Sequence, residues 1–263
     1  MQQLTLPPEL PQGLRRIVGG SDFVQNKIGC SKALLYHLPQ LKSYLKIGPS
    51  ILPEPLAYEA AVLDWLHGRL PVPEVLYYER QGDWEYLLIS EVSGLDLSRE
   101  EHRRDPKLLV RLLASGLRQI HGVDTAGCPF DQTVAVKIEK ARSNLERGLL
   151  GETLFEPKYQ GWRAWDLFNL LLAKRPSNQD LCFTHGDYCL PNVLAKDSAL
   201  SGFVDLGRAG IGDRCVDIAL AVRSLEHNGY GSPELIDLFF SVYGLSDVDE
   251  AKMEFYTLLD EFL

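Results

Sequence analysis

The chain has 263 residues, with 36 acidic against 27 basic side chains and a formal net charge of -9; this balance argues against a general nucleic-acid surface, which needs Lys and Arg in excess on some face, and it suits a polycationic small substrate. With 45% apolar residues, a chain of this length supports one large domain or two modest lobes with full cores. Met1-Gln2-Gln3 leads into a proline-rich polar start, and no apolar run approaches the length of a membrane span, so the expected location is the cytoplasm with no membrane contact.

In chain order, Pro7 to Leu14 reads as a loop or short helix start, and Arg15 to Gln25, punctuated by Gly19-Gly20, as a first strand. Asn26 to Ser31 and the apolar run Ala33 to Leu38 give a small-residue turn and a return strand. A turn of this kind can fold over phosphates and donate backbone N–H groups, and it is also an ordinary hairpin; the chain lacks the G-x-G-x-x-G of protein kinases. Ser43 to Ile47 alternates as a strand. Leu56 to Leu66 is a helix with Ala60, Leu63 and Leu66 on one face, where the carboxylate of Glu59 can orient Lys46. Leu70-Pro71-Val72-Pro73 stops that helix. Val75 to Tyr78 and Tyr86 to Ser90 read as a strand pair joined by the polar turn Glu79 to Asp83. Ser90 to Gly94 then connects two lobes; its main chain, at Ser90 and Val92, can offer a carbonyl and an N–H to a base edge, and a plain connecting loop fits the same letters.

Beyond this connection the pattern is helical. Asp105-Pro106 opens a helix over Lys107 to His121, with Leu109, Leu112, Leu113, Leu117 and Ile120 at helical spacing and Gly122 placed to end it. Thr125 to Phe130 is a loop, Thr133 to Arg147 a second helix, Gly151 to Trp165 a polar and aromatic stretch, and Trp165 to Ala173 a third helix ending before Pro176. The five cysteines, Cys30, Cys128, Cys182, Cys189 and Cys215, are odd in number and lack C-x-x-C spacing, which predicts reduced thiols rather than a disulfide framework or a zinc site.

The chemistry concentrates between Leu181 and Asp217. Asp187 and Asn192 stand five positions apart, the D-x-x-x-x-N spacing of a kinase catalytic loop, in which the aspartate receives the proton of an attacking hydroxyl and the asparagine holds magnesium. Asp205 is the candidate second magnesium ligand, delivered by a strand ending Phe203-Val204 that pairs with Val193 to Ala195 across the polar interval Lys196 to Ser201. Hard oxygen ligands and one aimed carboxylate suffice for phosphoryl transfer, because its transition state needs charge neutralisation and in-line positioning. His185 is expected to hold the loop rather than transfer protons. Arg208 can bind a carboxylate or brace Asp187, and Asp217 is expected to cap the helix that begins Ile218-Ala219-Leu220-Ala221.

Together the segments HGDYCLPN, FVDLGRAGIGDR and DIALAVRSL closely resemble the aminoglycoside 3′-phosphotransferases, and the resemblance covers nearly the whole chain. It implies an α+β, bilobal, protein-kinase-like fold, with a β-rich nucleotide-binding lobe over residues 1–91 and a mainly helical catalytic lobe over 92–263. It also implies ATP and Mg2+, with Ser31 near the β-phosphate, Tyr44 on adenine, Lys46 on the α- and β-phosphates and Glu59 orienting that lysine. Ser90 and Val92 would meet the base through their main chain, Asp187 would be the base, and Asn192 and Asp205 the metal ligands. On the aminoglycoside side the resemblance points to Glu156, Arg208, Arg223, Glu261 and Leu263, the last through a terminal carboxylate. This sequence departs from the pattern at Pro157 and Lys158, where acids are common, at Leu263, where phenylalanine is usual, and at His227 and Asn228, which stand where some relatives carry acids. These departures bear on the substrate range more than on the reaction. The implied activity is phosphorylation of the 3′-hydroxyl of kanamycin- or neomycin-type drugs, giving resistance. The rival readings are a choline, macrolide or sugar kinase on the same fold and a non-catalytic nucleotide-binding pseudokinase; nothing in the sequence sets the oligomeric state.

Overall fold

The computed structural model describes residues 9–26, 33–150 and 155–263. The chain divides into two compact units, Met1–Val92 and Ser93–Leu263.

In the first unit, helix α1 (Gln12–Val18) precedes strands β1 (Val24–Asn26), β2 (Leu34–Leu38) and β3 (Ser43–Pro49), helix α2 (Leu56–Leu66), and strands β4 (Val75–Gln81) and β5 (Trp84–Ser90). The five strands form one antiparallel sheet in the order β1-β2-β3-β5-β4. Successive side chains of a strand point to opposite faces, and in β3 this alternation separates core from chemistry. Leu45 and Ile47 are buried with Leu14 and Val18 of α1, Leu38, Tyr86 and Leu88, while Tyr44 and Lys46 alternate onto the other face, where Lys46 meets Glu59 of α2. Helix α2 starts at Pro55, which offers no capping side chain; the N–H of Leu56 donates instead to Glu85 Oε2 at 2.8 Å. The free donor at a helix N-terminus thus finds a buried carboxylate from β5.

Two expectations are corrected here. The stretch from Arg15 begins inside α1 rather than in a strand, since Leu14 and Val18, four apart, form one buried helical stripe. The β4–β5 hairpin is longer than its apolar core suggested, with the turn reduced to Gly82-Asp83 and Gly82 at φ +59°. Its last pairs, Arg80 with Glu85 and Gln81 with Trp84, keep the ladder going through polar residues. The turn around Ser31 lies outside the described residues.

The second unit opens with the short strand β6 (Leu95–Asp96), followed by helices α3 (Pro106–His121), α4 (Val134–Glu146) and α5 (Ala164–Ala173). Asp105 accepts from Leu108 N–H at 2.9 Å and Pro106 occupies the first turn, as the sequence signals. Strands β7 (Leu181–Thr184), β8 (Val193–Lys196), β9 (Ala199–Phe203) and β10 (Gly210–Asp213) and helices α6 (Cys215–His227), α7 (Pro233–Tyr243) and α8 (Glu250–Asp260) complete it. Strand β7 pairs antiparallel with β10, a strand the sequence pattern did not predict, and β8 is flanked by β6 and β9. The β8–β9 turn is only Asp197-Ser198, both at positive φ, so it is tighter than the expected interval of Lys196 to Ser201. An aromatic and aliphatic core from α4, α5, α6 and α8, including Phe168, Phe255 and Phe262, fills one side. Among the described residues no helix is long and apolar enough to cross a membrane.

Helix α3 backs the catalytic loop closely at Gly116. A Cβ there would sit 2.6 Å from the hydroxyl of Tyr188, which is fully buried and donates to Leu113 carbonyl at 2.7 Å. Gly116→Ala adds about 1 kcal/mol of helix propensity, but overpacking costs about 1–3 kcal/mol and one buried hydrogen bond is lost besides. The variant is therefore expected to be less stable than the parent, with a lower midpoint in urea unfolding.

Candidate active site

Strand β7 runs directly into His185-Gly186-Asp187, and a single turn, Leu190 to Asn192, leads from there into β8. Gly186 has φ +84°, and a Cβ on it would lie 2.1 Å from the Arg208 carbonyl oxygen, so only glycine lets the two loops approach this closely. The loops are then tied by hydrogen bonds. His185 Nε2 bonds the Val204 carbonyl at 3.0 Å, and Val204 N–H donates to the Asn192 carbonyl at 3.1 Å. Asp187 N–H donates to His185 Nδ1 at 3.3 Å, which leaves the proton of the neutral imidazole on Nε2, facing Val204. His185 is buried and shapes the loop, as expected.

Asn192 donates through Nδ2 to the Asp187 carbonyl at 2.9 Å and to its Oδ2 at 3.1 Å. The pair separated by five residues is thus in direct contact. Burial raises the Asp187 pKa above the ordinary carboxylate range; the Arg208 guanidinium pulls it back down, while Asp260 and Asp205 push it up. A carboxylate raised in this way is a better proton acceptor. Asp205, just past β9, is exposed and holds φ +63°. A non-glycine residue in the left-handed region is strained by about 1–3 kcal/mol, a feature that concentrates at functional positions. Among the described residues no group of three or more His, Cys, Asp or Glu is gathered as a metal cage. One aspartate and one amide on adjoining loops match the sparse protein ligation of Mg2+, which takes one or two carboxylates plus phosphate oxygens and water.

Asp217 does not act as the cap foreseen for it. It lies inside the first turn of α6, and its carboxylate accepts from His185 N–H and Gly186 N–H, each at 2.7 Å, and from His121 Nε2 at 3.0 Å. Burial alone would raise its pKa, but the bonds from His121 and from the loop backbone outweigh it and hold the group below its usual value.

The residues expected on the substrate side form a charge network within the second unit. Arg208 Nη1 bonds Asp260 Oδ1 at 2.9 Å, and Arg223 grips the other oxygen of Asp260 through Nη2. Arg223 also reaches Glu156 Oε1 at 3.4 Å and Glu261 Oε1 at 3.9 Å. Glu156 pairs with Lys158 at 3.2 Å, and its N–H donates to Glu261 Oε2 at 3.0 Å. Arg208 binds a carboxylate, that of Asp260, and its charge also acts on Asp187. Leu263 packs, partly buried, against the core of this unit. Asp260, the hub of the network, is not among the residues to which the resemblance points on this side, although it directly precedes Glu261 in the same terminal segment.

In the first unit, Lys46 Nζ bonds both oxygens of Glu59, at 2.7 and 2.8 Å, and the Glu59 side chain is only 4% exposed. Tyr44 stacks on His37 with ring centroids 4.6 Å apart. Ser90 ends β5 with its N–H donated to the Glu74 carbonyl at 2.9 Å, so of its backbone groups only the carbonyl can read a base edge; Val92 follows outside any strand. Ser31 lies outside the described residues.

A glycine-tied loop that sets an aspartate against an asparagine, with a strained aspartate on the adjoining loop, is the arrangement expected of a phosphotransferase of the kinase-like class. The family model described as the phosphotransferase enzyme family matches residues 39–256. An aminoglycoside 3′-phosphotransferase of Niallia circulans is 40% identical over 255 residues, covering 96% of this chain and 97% of that protein. One from Enterococcus faecalis is 31% identical, covering 99% of each. The crystal structure of an aminoglycoside 3′-phosphotransferase of type VIII superposes with a TM-score of 0.85 at 30% identity, covering 95% of this chain and 97% of that one. The chain belongs to the phosphotransferase enzyme family and, within it, to the aminoglycoside 3′-phosphotransferases. It is a kinase with the bilobal protein-kinase-like fold that the sequence implied.

Glu261 yields a pH test. Burial in the first place, reinforced by the Glu156 charge, pushes its pKa up to about 7, against the pull of the Glu156 N–H and of Arg223. The folded chain therefore keeps a proton that the unfolded chain releases, so stability falls as pH rises from about 4.3 through about 7. Glu261→Gln keeps an acceptor for the Glu156 N–H but cannot ionise. Relative to the parent, it is expected to gain stability between pH 5 and pH 8, read by urea unfolding at both values.

Proposed function

We propose that this chain transfers the γ-phosphoryl group of ATP, with Mg2+, to the 3′-hydroxyl of kanamycin- or neomycin-type aminoglycosides, and so confers resistance to them. The observation that carries the reading is the Asp187–Asn192 contact on a loop locked by Asp217, beside the strained Asp205. Asp187 accepts the proton of the attacking hydroxyl; its raised basicity suits that step, and Asn192 holds the carboxylate in one orientation. Asn192, through its amide oxygen, and Asp205 would hold the Mg2+. When bound, the ion neutralises charge on the β- and γ-phosphate oxygens.

Lys46, held by Glu59, meets the α- and β-phosphates. Tyr44 lies against the adenine, whose edge is read by the Ser90 carbonyl and the Val92 main chain. For the aminoglycoside, whose amino groups are charged near neutral pH, the ligands are Glu156 and Glu261, with Arg208 and Arg223 setting how much negative charge they present. An ammonium group must compete with Arg223 and Lys158 for Glu156, which favours drugs carrying several positive charges. The enzyme works in the cytoplasm on a small molecule, with neither nucleic acid nor membrane as partner.

The test is ADP release with Mg-ATP against kanamycin A, neomycin and a kanamycin analogue lacking the 3′-hydroxyl. Turnover with kanamycin that vanishes for the deoxy analogue is expected. Asp187→Asn should lower kcat by about 10²–10⁴-fold, the range for loss of a general base. Folded protein that turns over neither drug would exclude the antibiotic assignment in favour of another small-molecule kinase.

A further inference from the structure

Behind the catalytic loop lies a chain of hydrogen bonds that phosphoryl transfer does not by itself require. His121, at the C-terminal end of α3, has a side chain only 4% exposed. Its Nδ1 lies 2.7 Å from the hydroxyl of Tyr243 in α7, and its Nε2 lies 3.0 Å from Asp217 Oδ2. Arg214 Nη1 reaches the same tyrosine hydroxyl at 3.3 Å, while its Nη2 donates to Asp180 Oδ1 at 3.2 Å and its Nε makes an ion-pair contact with Asp180 Oδ2 at 2.7 Å. The direction of each bond is set by donor chemistry. Arginine can only donate, so the Tyr243 oxygen accepts from Arg214, and with a neutral imidazole its own O–H can be donated to His121 Nδ1. That leaves the imidazole proton on Nε2, where it is donated to Asp217. Arg214, Tyr243 and His121 thus form one donor series ending on a carboxylate whose other bonds come from His185 N–H and Gly186 N–H, directly before Asp187.

We propose that His121 is a positioning residue for phosphoryl transfer. Backed by Tyr243 and Arg214, it fixes the orientation of the Asp217 carboxylate and thereby the backbone from His185 to Asp187, which sets the aim of the proton acceptor. Without the imidazole, Asp217 is held by the two loop N–H groups alone and can rotate with the loop instead of fixing it. A misplacement of about 1 Å at a reacting group costs about 10²-fold in rate, so even a small rotation registers in kcat. Substrate and nucleotide contacts are untouched by His121, so KM should not follow.

The test compares His121→Leu, which cannot donate, with His121→Gln, whose amide nitrogen can reach Asp217, and with Tyr243→Phe, which removes the hydroxyl behind the imidazole. The proposal rests on the kinase reading, and failure of that reading would appear separately, as absence of turnover in the parent chain. His121→Leu is expected to lower kcat about 10–100-fold with the KM for ATP and for kanamycin within about twofold of the parent. His121→Gln should recover most of that loss, and Tyr243→Phe should show a smaller fall. Joined to His121→Leu, Tyr243→Phe should add little, because both act through one series. Parental kcat in folded His121→Leu overturns the proposal, as does an equal loss in the Leu and Gln variants that merely tracks their thermal stability. If His121→Leu does not fold, Tyr243→Phe decides: lowered kcat at parental KM supports the role, and parental kcat overturns it.

Discussion

The carboxylate of Asp217 is fully buried, and an ion removed from water costs several kcal/mol unless its lone pairs are occupied. Its occupants are two consecutive backbone N–H groups of the catalytic loop and one imidazole, so the loop cannot depart without stranding the charge. This constraint reaches Asp187 through only one further residue. The His185 ring carries it sideways, bonding Val204 on the far strand and accepting from Asp187 N–H, and the Val204–Asn192 bond closes the circuit. Asp187, Asn192 and Asp205, from separate stretches of chain, are thereby tied into one hydrogen-bonded cluster.

A second group of charges is arranged differently. Asp260 sits between Arg208 and Arg223, and although burial would raise its pKa, the two guanidiniums outweigh burial and keep it ionised. Glu261, its neighbour in sequence, accepts the Glu156 N–H but has its arginine at 3.9 Å and a glutamate nearby, so burial prevails there. Adjacent acids in one short segment are thus held in opposite protonation tendencies by what faces them. Through Arg208 and Asp260 the same network acts on Asp187, the guanidinium lowering its pKa and the carboxylate raising it.

The first unit solves a simpler problem. A sheet with one face on α1 and the other on α2 must place a charged lysine against a helix, and it does so by giving that helix a buried glutamate at the matching position. Both Glu59 oxygens bond Lys46, so the ammonium is fixed in place instead of wandering on its flexible stem.

Much of this was legible in the residues. The five-residue spacing of Asp187 and Asn192, the strand leading to Asp205, the helices α2 to α5 and the strand hairpins follow from local periodicity and short-range spacing, which the sequence carries directly, whereas the Lys46–Glu59 pairing joins two elements 13 positions apart and rested on the family resemblance. Even His121 left a trace, because it continues the row Leu109, Leu113, Leu117 at steps of four along the buried face of α3. Its partner could not be read there. Asp217 looks like a helix cap from its place before an apolar run, and Asp260 looks like one more surface acid. What each became was decided by segments far away in the chain: α3 and the β7 loop for Asp217, and arginines 52 and 37 positions distant for Asp260. Local pattern determines which side chains are available and which way they point. The protonation and purpose of a buried charge depend on which distant groups the fold brings within hydrogen-bonding reach, and that only the tertiary structure decided.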